Sequence, residues 1–151
     1  MIRTPSTLFR VLAIAEVFSW SLLILGLVLR ATAGWDLAVT IGGGIHGFVF
    51  LSYGATAILV ALNNRWRFGP AALAVMSAVV PYATVPAEIW LRRRGLLGGQ
   101  WRRESTGDDR WYDPLMRWFL HRPWVLAVLI AVAVIALYAV LLTLGPPGGD
   151  R

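Results

Sequence analysis

Four apolar runs of about 20 residues or more, separated by charged and turn-forming residues, dominate this chain of 151 residues. At a rise of about 1.5 Å per residue, each is long enough as a helix to cross a hydrocarbon layer about 30 Å thick. No water in that layer satisfies backbone N–H and C=O groups, so such runs must close their hydrogen bonds internally, as helices do. The sequence therefore predicts an all-α polytopic membrane helix bundle: a three-span core over residues 1–97, an Arg/Trp-rich polar loop with an interfacial helix over 98–122, and a fourth transmembrane helix with a flexible tail over 123–151.

The first span runs from about Leu8 to Leu29, between Arg10 and Arg30. Ala31-Thr32-Ala33 resembles a signal-peptide cleavage site, but the apolar stretch exceeds a signal core and Glu16 interrupts it. Gly34-Trp35-Asp36 is a turn that returns the second span, Leu37 to Leu62, antiparallel beside the first. Asn63-Asn64-Arg65-Trp66-Arg67 suits the headgroup layer. The third span extends from Phe68 to Leu91, with Pro81 and Pro86 bending or breaking it near Tyr82 to Val85. Asp113-Pro114 reads as an N-cap followed by proline at the first helical position, opening a short surface helix. The fourth span, Pro123 to Leu144, reads as anchorage, with Tyr138 its polar handle, and Gly145 to Arg151 as tail.

The charge pattern fits the same picture. All fourteen basic residues are arginine, against eight acids. They flank the apolar runs, which marks them as topology signals and lipid-headgroup contacts rather than nucleic-acid ligands; Arg92, Arg93, Arg94, Arg102 and Arg103 are the headgroup candidates. Four crossings leave orientation contested, with five arginines on the amino-terminal side and nine on the other. The larger number favours a cytoplasmic Arg-rich loop, whereas Arg3 and Arg10 before the first helix argue the reverse.

Polar residues inside the spans are the candidate site. An ionisable group in a span is expensive unless it faces partners or water. Counting the rise per residue from the first-loop side, His46 lies roughly 13 Å deep, Glu16 roughly 19 Å, Tyr82 roughly 14 Å and Glu88 roughly 5 Å. Glu16, Ser19, His46, Tyr53, Tyr82 and Thr84 are thus expected in one inward cluster, with Glu88 interfacial and paired to Arg92 one turn on. Three readings stay open: a structural clamp, a proton or ion path, and a site for a metal, haem or lipid head. One histidine with one or two carboxylates is a thin ligand set. A haem held by two histidines would need His121, which the sequence puts at the surface. Gly43 and Gly47, spaced as G-x-x-x-G and followed on the same face by Gly54, are the expected helix-packing residues.

Catalytic constellations are missing. Gly42-Gly43-Gly44 lacks the following lysine of a phosphate loop, and neither H-E-x-x-H nor G-x-S-x-G occurs. With no cysteine, thiolate metal sites, disulfides and cysteine nucleophiles are excluded. The expectation is a non-enzymatic protein with no cofactor and no metal, an accessory or scaffold subunit whose partners are membrane lipids and another membrane protein or a second copy. The rival is a small transporter or proton-coupled permease using Glu16 and His46.

Over about Leu8 to Leu97 the chain resembles the DUF3817 family of small bacterial integral membrane proteins. The likeness rests on Phe9-Arg10, Ala15-Glu16 and Ser19, on His46-Gly47 with Phe50 and Tyr53, and on Pro81-Tyr82-Ala83-Thr84 leading to Glu88. It departs where Val17 stands for the family's glycine, and where Val28-Leu29-Arg30-Ala31 stands for a Pro-Leu-Lys-Tyr-like exit. The resemblance implies a plasma-membrane helix bundle of unknown role.

Overall fold

A computed structural model describes residues 4–105 and 107–144; the expected tail falls outside them, as do Arg3 and the side chain of Tyr138. The described residues are all-helical, without strands. Helix α1 spans Pro5–Ala33, where the Thr4 side chain accepts from the Thr7 N–H and Pro5 opens the first turn. It stops at Gly34, whose φ of 65° is a left-handed conformation that glycine adopts without a Cβ clash. Helix α2 spans Asp36–Asn63 and runs back along α1. The two backbones approach closely at two glycines. A Cβ on Gly26 would lie 2.7 Å from the Ala38 carbonyl oxygen, and one on Gly42 would lie 2.8 Å from that of Leu22.

The third apolar run behaves differently. Helix α3 covers Phe68–Met76, a 3-10 turn covers Ser77–Val79, and helix α4 covers Thr84–Arg93. Hydrogen bonds fix the path between them. Just before α3, Trp66 Nε1 donates to the Leu96 carbonyl at 2.8 Å, and Leu96 lies just after α4. A straight helix over 68–93 would separate these ends by about 39 Å. Contacts with α1 report the same reversal: Trp20 Nε1 donates to the Ala78 carbonyl, whereas Thr84, six residues later, donates to the carbonyl of Ala13. Leu91 then joins Phe9 in the apolar core near the start of α1. The segment descends, turns at Pro81-Tyr82 and returns. The expected third crossing at Phe68 to Leu91 is therefore corrected to a hairpin whose two ends share one end of the bundle. Its cause is the proline break, together with Tyr82 in the left-handed region at φ 65°.

The segment after α4 closes that end of the bundle. Asn64 Nδ2 donates to the carbonyls of Leu96 and Gly98, and Asn63 donates to Gln100 while accepting from the Arg102 N–H. Leu97 and Trp101 are buried against the core. Asn63 and Asn64 thus bind the returning chain, a role the headgroup reading did not assign them. Arg65, itself at φ 52°, binds the Asp108 side chain and carbonyl and lies 3.6 Å from Asp113. The Asp108 hydrogen bond holds its guanidinium above the ordinary arginine range.

Helix α5 spans Asp113–His121 with proline in its first turn. Asp113 is not the expected N-cap: its Oδ2 accepts from the Arg110 N–H, outside the helix. The chain then bends by 93° into α6, Pro123–Leu144. By length and composition, α1 and α2 qualify as membrane spans, and the bent α5–α6 pair makes a third candidate. Two to three candidate spans among the described residues agree with a helical membrane protein, and the count of a three-span core plus a fourth is not confirmed by them.

Candidate functional site

Glu16, Ser19 and His46 come together at the α1–α2 contact. Glu16 and Ser19 stand three residues apart on one face of α1, and the antiparallel register brings His46 opposite them. Ser19 Oγ lies 3.0 Å from Glu16 Oε2 and 3.0 Å from His46 Nδ1, and Nδ1 lies 3.4 Å from Oε2. With the serine proton on Oε2, Oγ accepts from Nδ1–H, so a hydrogen-bonded chain runs from His46 through Ser19 to Glu16. Glu16 is fully buried and His46 partly buried. The Trp20 ring covers the imidazole at 4.4 Å between centroids and Phe50 flanks it at 5.9 Å. This aromatic lid was absent from the sequence reading, although Trp20 follows Glu16 at i+4 and so shares its face.

Glu16 Oε1 is buried and has no hydrogen-bond partner among the described residues. An unpaired oxygen in apolar surroundings costs about 1–3 kcal/mol. The cluster is therefore one acceptor richer than its own donors can satisfy.

The other expected members lie apart. Tyr53 is buried, bonds Ser77 at 3.0 Å and packs its ring 5.3 Å from that of Phe9. Thr84 is buried on the Ala13 carbonyl. Tyr82 sits at the hairpin tip, substantially exposed, with its hydroxyl 3.3 Å from that of Ser21. Its expected depth was counted along a helix that crosses, and the hairpin removes that premise. Glu88 does meet Arg92, at 3.6 Å. It is buried, and the return of α4 puts it at the Arg-rich end instead of the first-loop end.

Gly47 and Gly54 have open space where a Cβ would be, unlike Gly26 and Gly42. The close approaches of α1 to α2 thus fall at Gly26 and Gly42, and not at Gly47 or Gly54. Among the headgroup candidates, Arg94 stacks over the Trp90 ring at 5.0 Å, and the Arg102 backbone is held by Asn63. Among the described residues no three His, Asp or Glu side chains group as a metal site.

Comparison with known proteins adds context to this geometry. The profile of a family described as "Domain of unknown function (DUF3817)" matches residues 6–93, over half of the chain. A protein of Streptomyces coelicolor, named only as a membrane protein, is 37% identical over 91 residues. That stretch covers 59% of this chain but 11% of the relative, so the likeness occupies a small part of a much longer polypeptide. No solved structure matches.

Proposed function

The chain belongs to the DUF3817 family, and from that membership we propose that it is a non-enzymatic membrane component, an accessory or scaffold unit that works beside another membrane protein. One observation carries this reading: in the Streptomyces relative the matching stretch is covalently part of a membrane protein roughly nine times as long, consistent with the 11% coverage. Fusion holds two modules at high effective concentration, an arrangement suited to units that act together. The buried Glu16–Ser19–His46 chain then serves to fix the register of α1 on α2, as buried polar networks do.

The hairpin also bears on topology. With α1, α2 and α6 as the crossings, the amino-terminal end, the α2–α3 turn and the whole 92–122 segment share one side. Eleven of the twelve arginines in the described residues then lie there, and Arg30 alone lies opposite. The positive-inside rule makes that side cytoplasmic. The five-to-nine contest of a four-crossing chain becomes a clear bias.

Native mass spectrometry of protein gently extracted from its own membrane tests the accessory role. A stoichiometric membrane-protein partner is expected. A lone monomer or homo-oligomer would contradict it and favour the second reading, proton-coupled transport, which draws on the unpartnered Glu16 Oε1. In that case pH-driven flux in liposomes should disappear in His46→Ala while the protein stays folded.

A further inference from the structure

Helix α6 stands away from α1 and α2 over part of its length, leaving a groove of about 450 Å³. Leu8 and Leu12 of α1, Phe48 and Leu59 of α2, and Leu126 and Ile130 of α6 line it. Its volume is in the range of ordinary ligand pockets, about 300–1,000 Å³. The distribution of polarity along it is uneven. Phe48 lies fifteen residues before the end of α2, roughly 22 Å below it. Ser52, one turn nearer the end at roughly 16 Å, has its hydroxyl already donating to the Phe48 carbonyl at 2.7 Å. At the upper end the groove meets Trp101 and Arg103. Asn63, the last residue of α2, holds the neighbouring Arg102 backbone at 2.8 Å, which places Arg103 at the level of the helix end. Arg103 is exposed, and among the described residues no carboxylate is ion-paired with it.

We infer that this groove is a binding site for one anionic phospholipid, with an acyl chain between α1, α2 and α6 and the phosphate on Arg103. Charge complementarity decides the occupant. A deep apolar trough takes a hydrocarbon tail, and a lone cation at its mouth takes an anionic head. A partner helix would fill the trough without needing a charge at one end. The arginine also stands where a phosphate stands when the tail is inserted, at the end of the helices.

Delipidated protein in detergent, titrated with phosphatidylglycerol or with phosphatidylcholine of the same chains, tests the assignment by thermal shift. Wild type should gain several degrees with phosphatidylglycerol and clearly less with phosphatidylcholine. Arg103→Gln should lose that difference, whereas Arg30→Gln, paired with Asp36 at the opposite end of the bundle and outside the groove, should keep it. Ala127→Phe, which fills the groove from α6, should lose the response to both lipids. Equal responses to the two lipids, equal losses in the Arg30 and Arg103 variants, or reproduction of the shift by inorganic phosphate would each overturn the site. So would a native mass spectrum showing a protein subunit whose loss alone opens the groove to lipid. If the Ala127 variant does not fold, the two arginine variants decide alone.

Discussion

Helices α1 and α2 and the first limb of the hairpin, α3, are made from similarly apolar residues, yet only the first pair is long enough to cross a membrane. Both long helices are uninterrupted for 28 residues or more. The third run has two prolines and a left-handed Tyr82 in its middle, and it turns back. The difference teaches that hydropathy over a window measures what a segment can be immersed in, not whether it reaches the far side. Reach depends on the hydrogen-bond ladder staying whole, and on what waits at either end. Here Asn63, Asn64 and Trp66 wait at the near end and hold the returning chain.

The comparison breaks most strongly at the α1–α2 contact. Gly42→Leu would drive a side chain into the Leu22 backbone, which cannot rotate away. A loss of about 3 kcal/mol is expected, read as a lowered melting temperature in detergent. An unchanged melting temperature would show that the two helices do not depend on this approach. His46→Ala comes next, since it removes the partner that Ser19 and Glu16 share, and about 2 kcal/mol should be lost. On the hairpin side, Asn63→Ala takes two hydrogen bonds from the 100–102 backbone and should cost about 1–2 kcal/mol. Its sharper readout is trypsin, which should cut the 92–110 arginines faster in the variant at a temperature where α1 and α2 stay protected. Equal cutting rates would mean that the asparagines do not hold the hairpin closed. The smallest effect sharpens the contrast between glycines: Gly47→Ala meets open space and should stay within about 0.5 kcal/mol of wild type.

Much of the first pair was legible in the residues. Gly34 marks the turn that ends α1, because capping chemistry is local, whereas the Thr4-Pro5 cap lies ahead of the start expected near Leu8. Glu16, Ser19 and His46 meet because a constant rise per residue makes depth countable along two unbroken helices. The break near Tyr82 was legible too, from Pro81. What followed the break was not: a proline says that a ladder is interrupted, whereas the return depends on hydrogen bonds from Asn63 and Asn64 to residues more than thirty positions away. The tight glycines escaped for a related reason. Periodicity puts Gly47 and Gly54 on the face of His46, but which glycines lie against the α1 backbone is set by the register of the pair, and the close approaches fall at Gly26 and Gly42. Asp113 shows the same limit, with its carboxylate turned toward Arg110 and Arg65 instead of its own helix.

The chain has no cysteine, so single cysteines report sidedness without background. Asp36→Cys marks the α1–α2 turn and Ser105→Cys the Arg-rich segment, and each can be tested in intact cells with a membrane-impermeant maleimide. A returning hairpin requires opposite sides: position 36 labelled from outside, position 105 labelled only after the membrane is opened. Labelling of both from the same side would mean that residues 68–93 cross the membrane, and would contradict the hairpin topology directly.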